Sequence, residues 1–124
     1  MAETQTFLHA SFLIRDADRA RAFYGGILGW PEDARPDLGF PGVWYRVGDA
    51  QLHLIVPADA SFLPDPARAP MGRDSHIAVR VFRFDAILKE IESRGGAIRR
   101  SEMLGKRRAF IRDPDGNMVE LWEP

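Results

Sequence analysis

Residues 51–57 read QLHLIVP, and the histidine in this run, His53, is the residue around which the chain is organised. Gln51, His53 and Ile55 alternate with apolar neighbours, which is typical of a β-strand with one buried face. The chain contains three histidines, and each lies in a short apolar run of this kind. The recurring feature of the sequence is therefore a polar residue set into a strand.

A fixed offset relates the three histidines to one another and to one glutamate. His9 and His76 are 67 positions apart (76 − 9), and the same offset from His53 gives Glu120. The pairs His9/His53 and His76/Glu120 therefore share an internal spacing of 44 residues (53 − 9 and 120 − 76). Strands, helix stops and turns recur at the same offset, which predicts two copies of one supersecondary unit.

Each unit is predicted to be a strand, a helix and three further strands. Module one covers about residues 7–56, module two about residues 76–123, and the Pro-rich segment 57–75 is predicted to be a linker without regular structure. At 124 residues the chain is expected to form a single domain of the α+β class.

Local patterns give expectations for the two helices and the last turn. Asp16 is expected to cap the first helix at its N-terminus, and Gly25 with Gly26 is expected to weaken its end. Leu8 is expected to pack on this helix with the other apolar residues of its strand face. The second helix is expected to bury one apolar stripe, and the DPDGN sequence at 113–117 is expected to form a turn.

The composition excludes several classes of protein. The net charge of −1 gives no reason to expect nucleic acid as a partner, and no apolar run is long enough to span a membrane. Cysteine is absent, so disulfides and thiolate metal sites are excluded. The N-terminal MAETQTFLHA lacks the pattern of a secretion signal, so we expect a cytoplasmic protein.

The four related residues suggest a metal site. A pseudo-twofold axis would place His9 opposite His76 and His53 opposite Glu120, on the sheet face turned away from the helices. Imidazole and carboxylate groups suit divalent Zn, Ni, Mn, Fe or Co. A lone strand histidine is more often a hydrogen-bonded polar residue, and Glu120 alone could pair with an arginine such as Arg80. The equivalent positions of all four favour metal ligation.

The stretches LHASFLIRDADRARAFYGGILGW, SHIAVRV and RDPDGNMVELWEP resemble the vicinal oxygen chelate superfamily over about residues 7–123. This superfamily includes glyoxalase I, fosfomycin-resistance and bleomycin-resistance proteins, methylmalonyl-CoA epimerase and extradiol dioxygenases. The resemblance implies two βαβββ modules in pseudo-twofold repeat, forming an eight-stranded, incompletely closed, barrel-like sheet with the helices outside. It also implies a homodimer, in which the site is built within one chain or across two.

The resemblance implies that His9, His76 and Glu120 bind one divalent transition metal, and that His53 holds the fourth ligand position. Glyoxalase I-like members have a carboxylate at that position, so His53 is a departure from their pattern. The expected function is a glyoxalase-like isomerase or lyase, acting on a small substrate chelated through adjacent oxygens, with Glu120 as the catalytic base. The alternatives are a ferrous extradiol-type dioxygenase, a fosfomycin-resistance-like transferase, a metal-free drug-binding protein and a structural homologue with an unused site.

Five residues are candidates for binding the substrate, which is expected to be small and anionic: Arg80, Phe82, Trp122, Arg107 and Arg108. Arg80 shares a strand face with His76, and an internal salt bridge is its alternative role. Arg107 and Arg108 could clamp an anion, or could belong to a solvated hairpin. Phe82 and Trp122 share strand faces with His76 and Glu120.

Overall fold

A computed structural model describes residues 3–59, 61, 63–67 and 72–124. In these ranges the chain forms two four-stranded sheets, with strand orders β1-β4-β3-β2 and β5-β8-β7-β6. The strands are β1 (His9–Leu13), β2 (Glu32–Asp33), β3 (Gly42–Val47), β4 (Ala50–Ile55), β5 (His76–Arg80), β6 (Arg99–Met103), β7 (Lys106–Arg112) and β8 (Met118–Trp122). The helices are α1 (Ala17–Arg21), which continues as a π-helical segment (Ala22–Ile27), and α2 (Phe84–Ser93).

The two sheets repeat one another in register as well as in strand order. In each sheet the first strand lies parallel to the last, and the register pairs Ser11 with His53 and Ala78 with Glu120. The offset of 67 relates both members of these pairs (11 + 67 = 78 and 53 + 67 = 120). The two βαβββ modules and the incompletely closed sheet predicted from the sequence are therefore confirmed.

The buried core lies between the sheets and the helices. Leu52 and Leu54 of β4 are buried, whereas His53 between them faces the other way and is half-buried. The apolar stripe of α2 is buried along its length, as predicted: Phe84, Ile87, Leu88 and Ile91. This alternation removes apolar surface from water on one face and leaves the polar face of each sheet available for chemistry.

The first helix differs from the sequence expectation. Asp16 caps α1 as predicted, because its Oδ1 accepts a hydrogen bond of 2.9 Å from the backbone N–H of Asp18. The helix widens into a π-helical segment, where the backbone N–H of Leu28 donates to the carbonyl of Phe23 at 2.9 Å. Gly25 and Gly26 lie in this segment, and glycine is a weak former of α-helix.

The turn before β8 joins the two modules. The hydroxyl of Tyr24 donates to Asp113 Oδ2 at 2.8 Å, and Asn117 Nδ2 donates to the carbonyl of Leu13 at 2.8 Å. The backbone N–H of Arg15 donates to Asp115 Oδ1 at 3.1 Å. The DPDGN sequence is therefore a structural junction, as well as the turn that the sequence predicted.

Two further expectations concern the chain ends and the linker. Leu8 was expected to pack on the first helix with its strand neighbours, but it is 70% exposed because it precedes β1. Residues 60, 62 and 68–71 of the predicted linker lie outside the described residues, and its described part contains neither an α-helix nor a strand. None of the described helices is long and apolar enough to cross a membrane.

Candidate metal centre

His76 and Glu120 converge on the polar face of the second sheet. Their strands are parallel neighbours, and Ala78, two residues after His76, pairs directly with Glu120. His76 Nε2 lies 3.3 Å from Glu120 Oε1, and Glu120 is only 6% exposed although it carries a carboxyl group. The parallel register thus brings two potential ligand atoms to one point.

A backbone hydrogen bond orients the His76 ring. His76 Nδ1 lies 2.7 Å from the carbonyl oxygen of Asp74. Because a carbonyl can only accept, Nδ1 carries the proton and donates it. The other nitrogen, Nε2, then faces the carboxylate of Glu120, and two atoms with lone pairs at this distance require a proton or a metal ion between them.

Two further side chains surround Glu120. Trp122 Nε1–H donates to Glu120 Oε2, and Arg108 Nη1 lies 3.7 Å from Oε1. Arg108 Nε donates a hydrogen bond of 2.8 Å to Ser101 Oγ. The guanidinium group of Arg108 lies over the rings of Phe110 and Trp122. These contacts hold a guanidinium group and an indole N–H beside the carboxylate of Glu120.

His9 and His53 meet in a different way on the first sheet. Their rings are stacked, with centroids 3.9 Å apart and planes inclined by 9°. Trp44 of the neighbouring strand stacks on the other face of His53, with centroids 4.1 Å apart and planes inclined by 5°. His53 is the middle ring of a stack of three, and His9 is its outer, exposed end.

The edge of the His53 ring belongs to a hydrogen-bond chain. His53 Nε2 lies 2.9 Å from Gln51 Oε1, and Gln51 Nε2 donates to Asp33 Oδ2 at 2.8 Å. Arg46 Nη2 lies 2.8 Å from the same oxygen of Asp33. Burial lowers the pKa of His53, and the charges of His9 and Arg35 lower it further, so the neutral ring is favoured.

The predicted substrate residues are divided between several places. Arg108 and Trp122 lie beside Glu120. Arg107 points to the helix side, where its Nη1 and Nη2 donate to the two carboxylate oxygens of Asp85 at 2.9 and 3.0 Å. Arg107 is exposed, and it also forms an ion pair with Glu123.

The remaining two candidates lie at the exposed end of the fifth strand. Arg80 is exposed on β5. Among the residues that the structure describes, Arg80 forms no ion pair, so the internal salt bridge that was the alternative to substrate binding is not found. Water can solvate this charge, which removes the need for an internal partner. Phe82 follows β5 and is 92% exposed. Together with Arg80 it lines an open cavity of about 300 Å³ that none of the four candidate ligands lines.

The two pairs of candidate ligands form separate half-sites. Among residues 3–59, 61, 63–67 and 72–124, no group of three or more His, Asp or Glu side chains could hold a metal ion. A cavity of about 680 Å³ lies elsewhere, between the two helices, and none of the four candidate ligands lines it. The four candidate ligands and this cavity are therefore in different places.

Sequence reasoning missed the residues that support the candidate ligands. Gln51 lies two positions before His53, so strand alternation alone places both on one face, and this signal was available. Asp33 was unpredictable, because β2 has only two residues and lies in a Pro- and Gly-containing segment. Asp74 orients His76 through its backbone carbonyl, and a backbone contact leaves no trace in the residue type.

Comparison with known proteins agrees with the fold. The family model described as the glyoxalase/bleomycin resistance protein/dioxygenase superfamily matches residues 6–121. A protein named glyoxylase I 4 from Arabidopsis thaliana is 29% identical over 118 residues, covering 91% of this chain and 67% of its own length. CFP32 of Mycobacterium tuberculosis, which carries a provisional glyoxylase name, is 31% identical over 115 residues. The match covers 87% of this chain and only 41% of CFP32.

Solved structures show the same architecture. A protein assigned to the glyoxalase family from Bacillus anthracis has a TM-score of 0.77 and 25% identity, with 99% of this chain and 98% of that chain covered. Lactoylglutathione lyase from Agrobacterium tumefaciens has a TM-score of 0.69 and 22% identity, with 98% and 96% covered. Since the family model spans nearly the whole sequence and the fold agrees, the chain belongs to the glyoxalase/bleomycin resistance protein/dioxygenase superfamily.

Proposed function

We propose that this protein is a metal-dependent enzyme of the vicinal oxygen chelate type, with a metal site completed by a second copy of the chain. The observation that carries the proposal is the pair formed by His76 Nε2 and Glu120 Oε1, 3.3 Å apart. The proton on His76 Nδ1 is committed to the carbonyl of Asp74. The pair therefore presents two acceptors that a cation would join.

The spacing of this pair fits two ligands of one metal ion. Metal–nitrogen and metal–oxygen bonds of about 2.0–2.2 Å at angles near 90–110° place neighbouring donor atoms about 2.8–3.6 Å apart. The observed 3.3 Å between His76 Nε2 and Glu120 Oε1 lies in this range. The hydrogen bond from His76 Nδ1 to the backbone carbonyl of Asp74 also fits, because a metal-binding histidine usually donates the N–H of its other ring nitrogen in this way.

The third ligand in this proposal is His9 from a second copy of the chain. Within one chain the described residues contain no cluster of three ligands, and His9 is exposed at the start of an edge strand. His76 begins the corresponding edge strand of the other module. An isologous dimer that apposes these edges would place His9 of each copy beside the His76/Glu120 pair of the other, making two equivalent sites.

The residues around the site support chemistry on a small anionic substrate with adjacent oxygens. A divalent ion held there would supply Lewis-acid charge that polarises both oxygens. Glu120 is the catalytic base in this proposal, because its carboxylate is nearly buried and can take a proton from a bound substrate. Arg108, held by Ser101, supplies a fixed positive charge for an anionic group of the substrate.

Three alternative functions are also compatible with the site. A set of two histidines and one carboxylate also suits ferrous iron and oxygen chemistry, so an extradiol-type dioxygenase is the second candidate, with a fosfomycin-resistance-like transferase beside it. The aromatic rings of Phe110 and Trp122 under Arg108 would suit metal-free binding of a drug. Cytoplasmic location stays a prediction from the sequence.

Metal analysis separates these proposals. Protein purified without chelators should contain, or take up from a Zn²⁺, Ni²⁺, Mn²⁺, Fe²⁺ or Co²⁺ series, about one equivalent of one metal per chain. His76→Ala should lose it. Less than about a tenth of an equivalent after each metal has been offered would rule out the enzyme proposal and favour metal-free binding. If Fe²⁺ alone supports oxygen uptake with a catechol, the dioxygenase alternative replaces the isomerase or lyase.

A further inference from the structure

His53 occupies the position equivalent to Glu120, but its environment is that of a packed ring. It lies between Trp44 and His9, with centroid distances of 4.1 and 3.9 Å. The three rings come from three neighbouring strands of one sheet, in the order β3, β4, β1. Both faces of the His53 ring are therefore covered by other rings.

The stacking prevents His9 and His53 from binding the same metal ion. The lone pair of an imidazole nitrogen lies in the plane of its ring, so a bound ion must lie close to that plane. The planes of His9 and His53 are inclined by only 9° and are stacked at 3.9 Å, so they meet far outside the site. His76 and Glu120, at the equivalent positions of the second sheet, instead point their donor atoms at one another.

The hydrogen-bond chain fixes which nitrogen of His53 carries the proton. The carboxylate of Asp33 can only accept, so the amide nitrogen of Gln51 donates to it. The amide oxygen of Gln51 therefore faces His53, and His53 Nε2 must be the donor in that bond. At the other end of this series of hydrogen bonds, Asp33 forms an ion pair with Arg46. The nitrogen nearest to Gln51 thus has no lone pair to offer a metal.

We infer that His53 is a positioning residue and is not itself a metal ligand: stacked on Trp44 and anchored by Gln51, it holds the His9 ring in one orientation at the edge of β1. This inference rests on the proposed function, in which His9 completes the site of a second copy. The metal would then have two imidazole ligands and one carboxylate, and the fourth position that the resemblance assigns to His53 would be open to water or substrate.

Side-chain NMR of the metal-free protein tests the positioning role without any metal. Long-range ¹H–¹⁵N correlation on ¹⁵N-histidine-labelled wild type should give His53 the pattern of the Nε2–H tautomer. Gln51→Leu should convert it to a mixture of tautomers. His53→Ala should exchange-broaden or shift the His9 ring signals, and His53→Phe, which keeps a flat ring in the stack, should restore them. A His53 proton on Nδ1, or His9 signals unchanged in His53→Ala, would overturn the inference.

A Co²⁺ titration, followed by visible absorption, tests the claim that His53 is not a ligand. Relative to wild type, His53→Phe should bind Co²⁺ within about threefold and with the same spectrum, whereas His53→Ala should bind about tenfold more weakly. His9→Ala is the reference for the loss of a true ligand. If His53→Phe loses as much affinity as His9→Ala, with a changed spectrum, His53 is a ligand and the inference is wrong. If wild type itself binds no metal, the proposed function fails, and the NMR result alone decides the positioning role.

Discussion

At the scale of single residues, equivalent positions in the two modules hold different chemistry. His76 and Glu120 present donor atoms to one another across 3.3 Å, whereas His9 and His53 present ring faces across 3.9 Å. The difference follows from the residue at one position of the repeat, a carboxylate in one module and an imidazole in the other. The proposed metal ligands are thus unevenly shared between the two halves of each chain.

The first prediction concerns the carboxylate of the proposed site. Glu120→Gln preserves the size of the side chain and removes the negative charge, so we expect the affinity for Zn²⁺ to fall by about 100-fold or more, beyond the loss usual for residues outside the ligand set. Isothermal titration of metal-free protein measures this. Glu123→Gln is the matched control, since Glu123 lies on the same chain segment but contacts Arg107. Equal Zn²⁺ affinity in Glu120→Gln and wild type would contradict the assignment.

The second prediction separates two neighbouring arginines. Arg108→Met keeps an unbranched apolar side chain and removes the charge beside Glu120, so metal-loaded protein should bind oxalate, a dianion with adjacent oxygens, about tenfold more weakly. Arg107→Met should bind oxalate as wild type does, because Arg107 is engaged with Asp85 on the helix side. Calorimetric titration with oxalate gives both affinities. The reverse order of effects would show that Arg107 is the anion-binding residue.

The role of Arg108 and Arg107 illustrates what the sequence could predict and what it could not. Strand alternation puts the two side chains on opposite faces of β7, but it does not say which face carries the site. That depends on the pairing of β7 with β8, where Arg108 lies opposite Trp122. Likewise, alternation places Gln51 beside His53. The rotamers that stack His53 on His9 depend on the pairing of β4 with β1, a strand from a distant part of the sequence.

At the scale of elements, the parallel pairing of the first and last strands of each module builds the half-sites. The repeat at an offset of 67 predicted two equivalent modules, and the registers of the two pairings agree with that offset to the residue. The end of the first helix was less predictable, since Gly25 and Gly26 were expected to weaken it and instead lie in a π-helical segment. That segment carries Tyr24, whose contact with Asp113 is a tertiary feature without a local sequence signal.

The third prediction tests this junction between the helix and the turn before β8. Burial raises the pKa of Tyr24 well above its usual value, and the nearby Asp113 raises it further. Because the folded protein favours the protonated phenol, this stability is complete below about pH 10 and is lost as the pH rises above it. Urea unfolding between pH 7 and 11 should show this loss for wild type and a smaller one for Tyr24→Phe.

The same substitution has an expected cost at neutral pH. Tyr24→Phe removes one of the hydrogen-bond donors to the buried carboxylate of Asp113. It should therefore lower the free energy of unfolding by about 1–3 kcal/mol. Asp113 keeps its other bonds, including those from the backbone N–H groups of Asp115 and Asn117. An unchanged unfolding free energy at pH 7, together with an unchanged pH dependence, would contradict the structural role of this bond.

At the scale of the whole molecule, one chain contains two halves of a site and the proposed dimer contains two sites. The pseudo-twofold repeat inside the chain makes the edges of the two sheets alike. β1 and β5 are both edge strands, and each begins with an exposed histidine. Family membership and fold follow from sequence patterns that extend along the whole chain. The apposition of edges depends on a second copy, and no pattern within one sequence reports it.

The central claim, a metal site shared between two chains, is tested most directly by mixing two variants that are each defective. His9→Ala and His76→Ala homodimers should both lose metal, because each of their sites lacks one ligand. A heterodimer, purified through two different affinity tags, would join His76 and Glu120 of the His9→Ala chain to the intact His9 of the His76→Ala chain. We predict about one equivalent of metal per heterodimer, half of the wild-type content per dimer. A heterodimer as empty as the two homodimers, beside a metal-loaded wild type, would contradict the shared site.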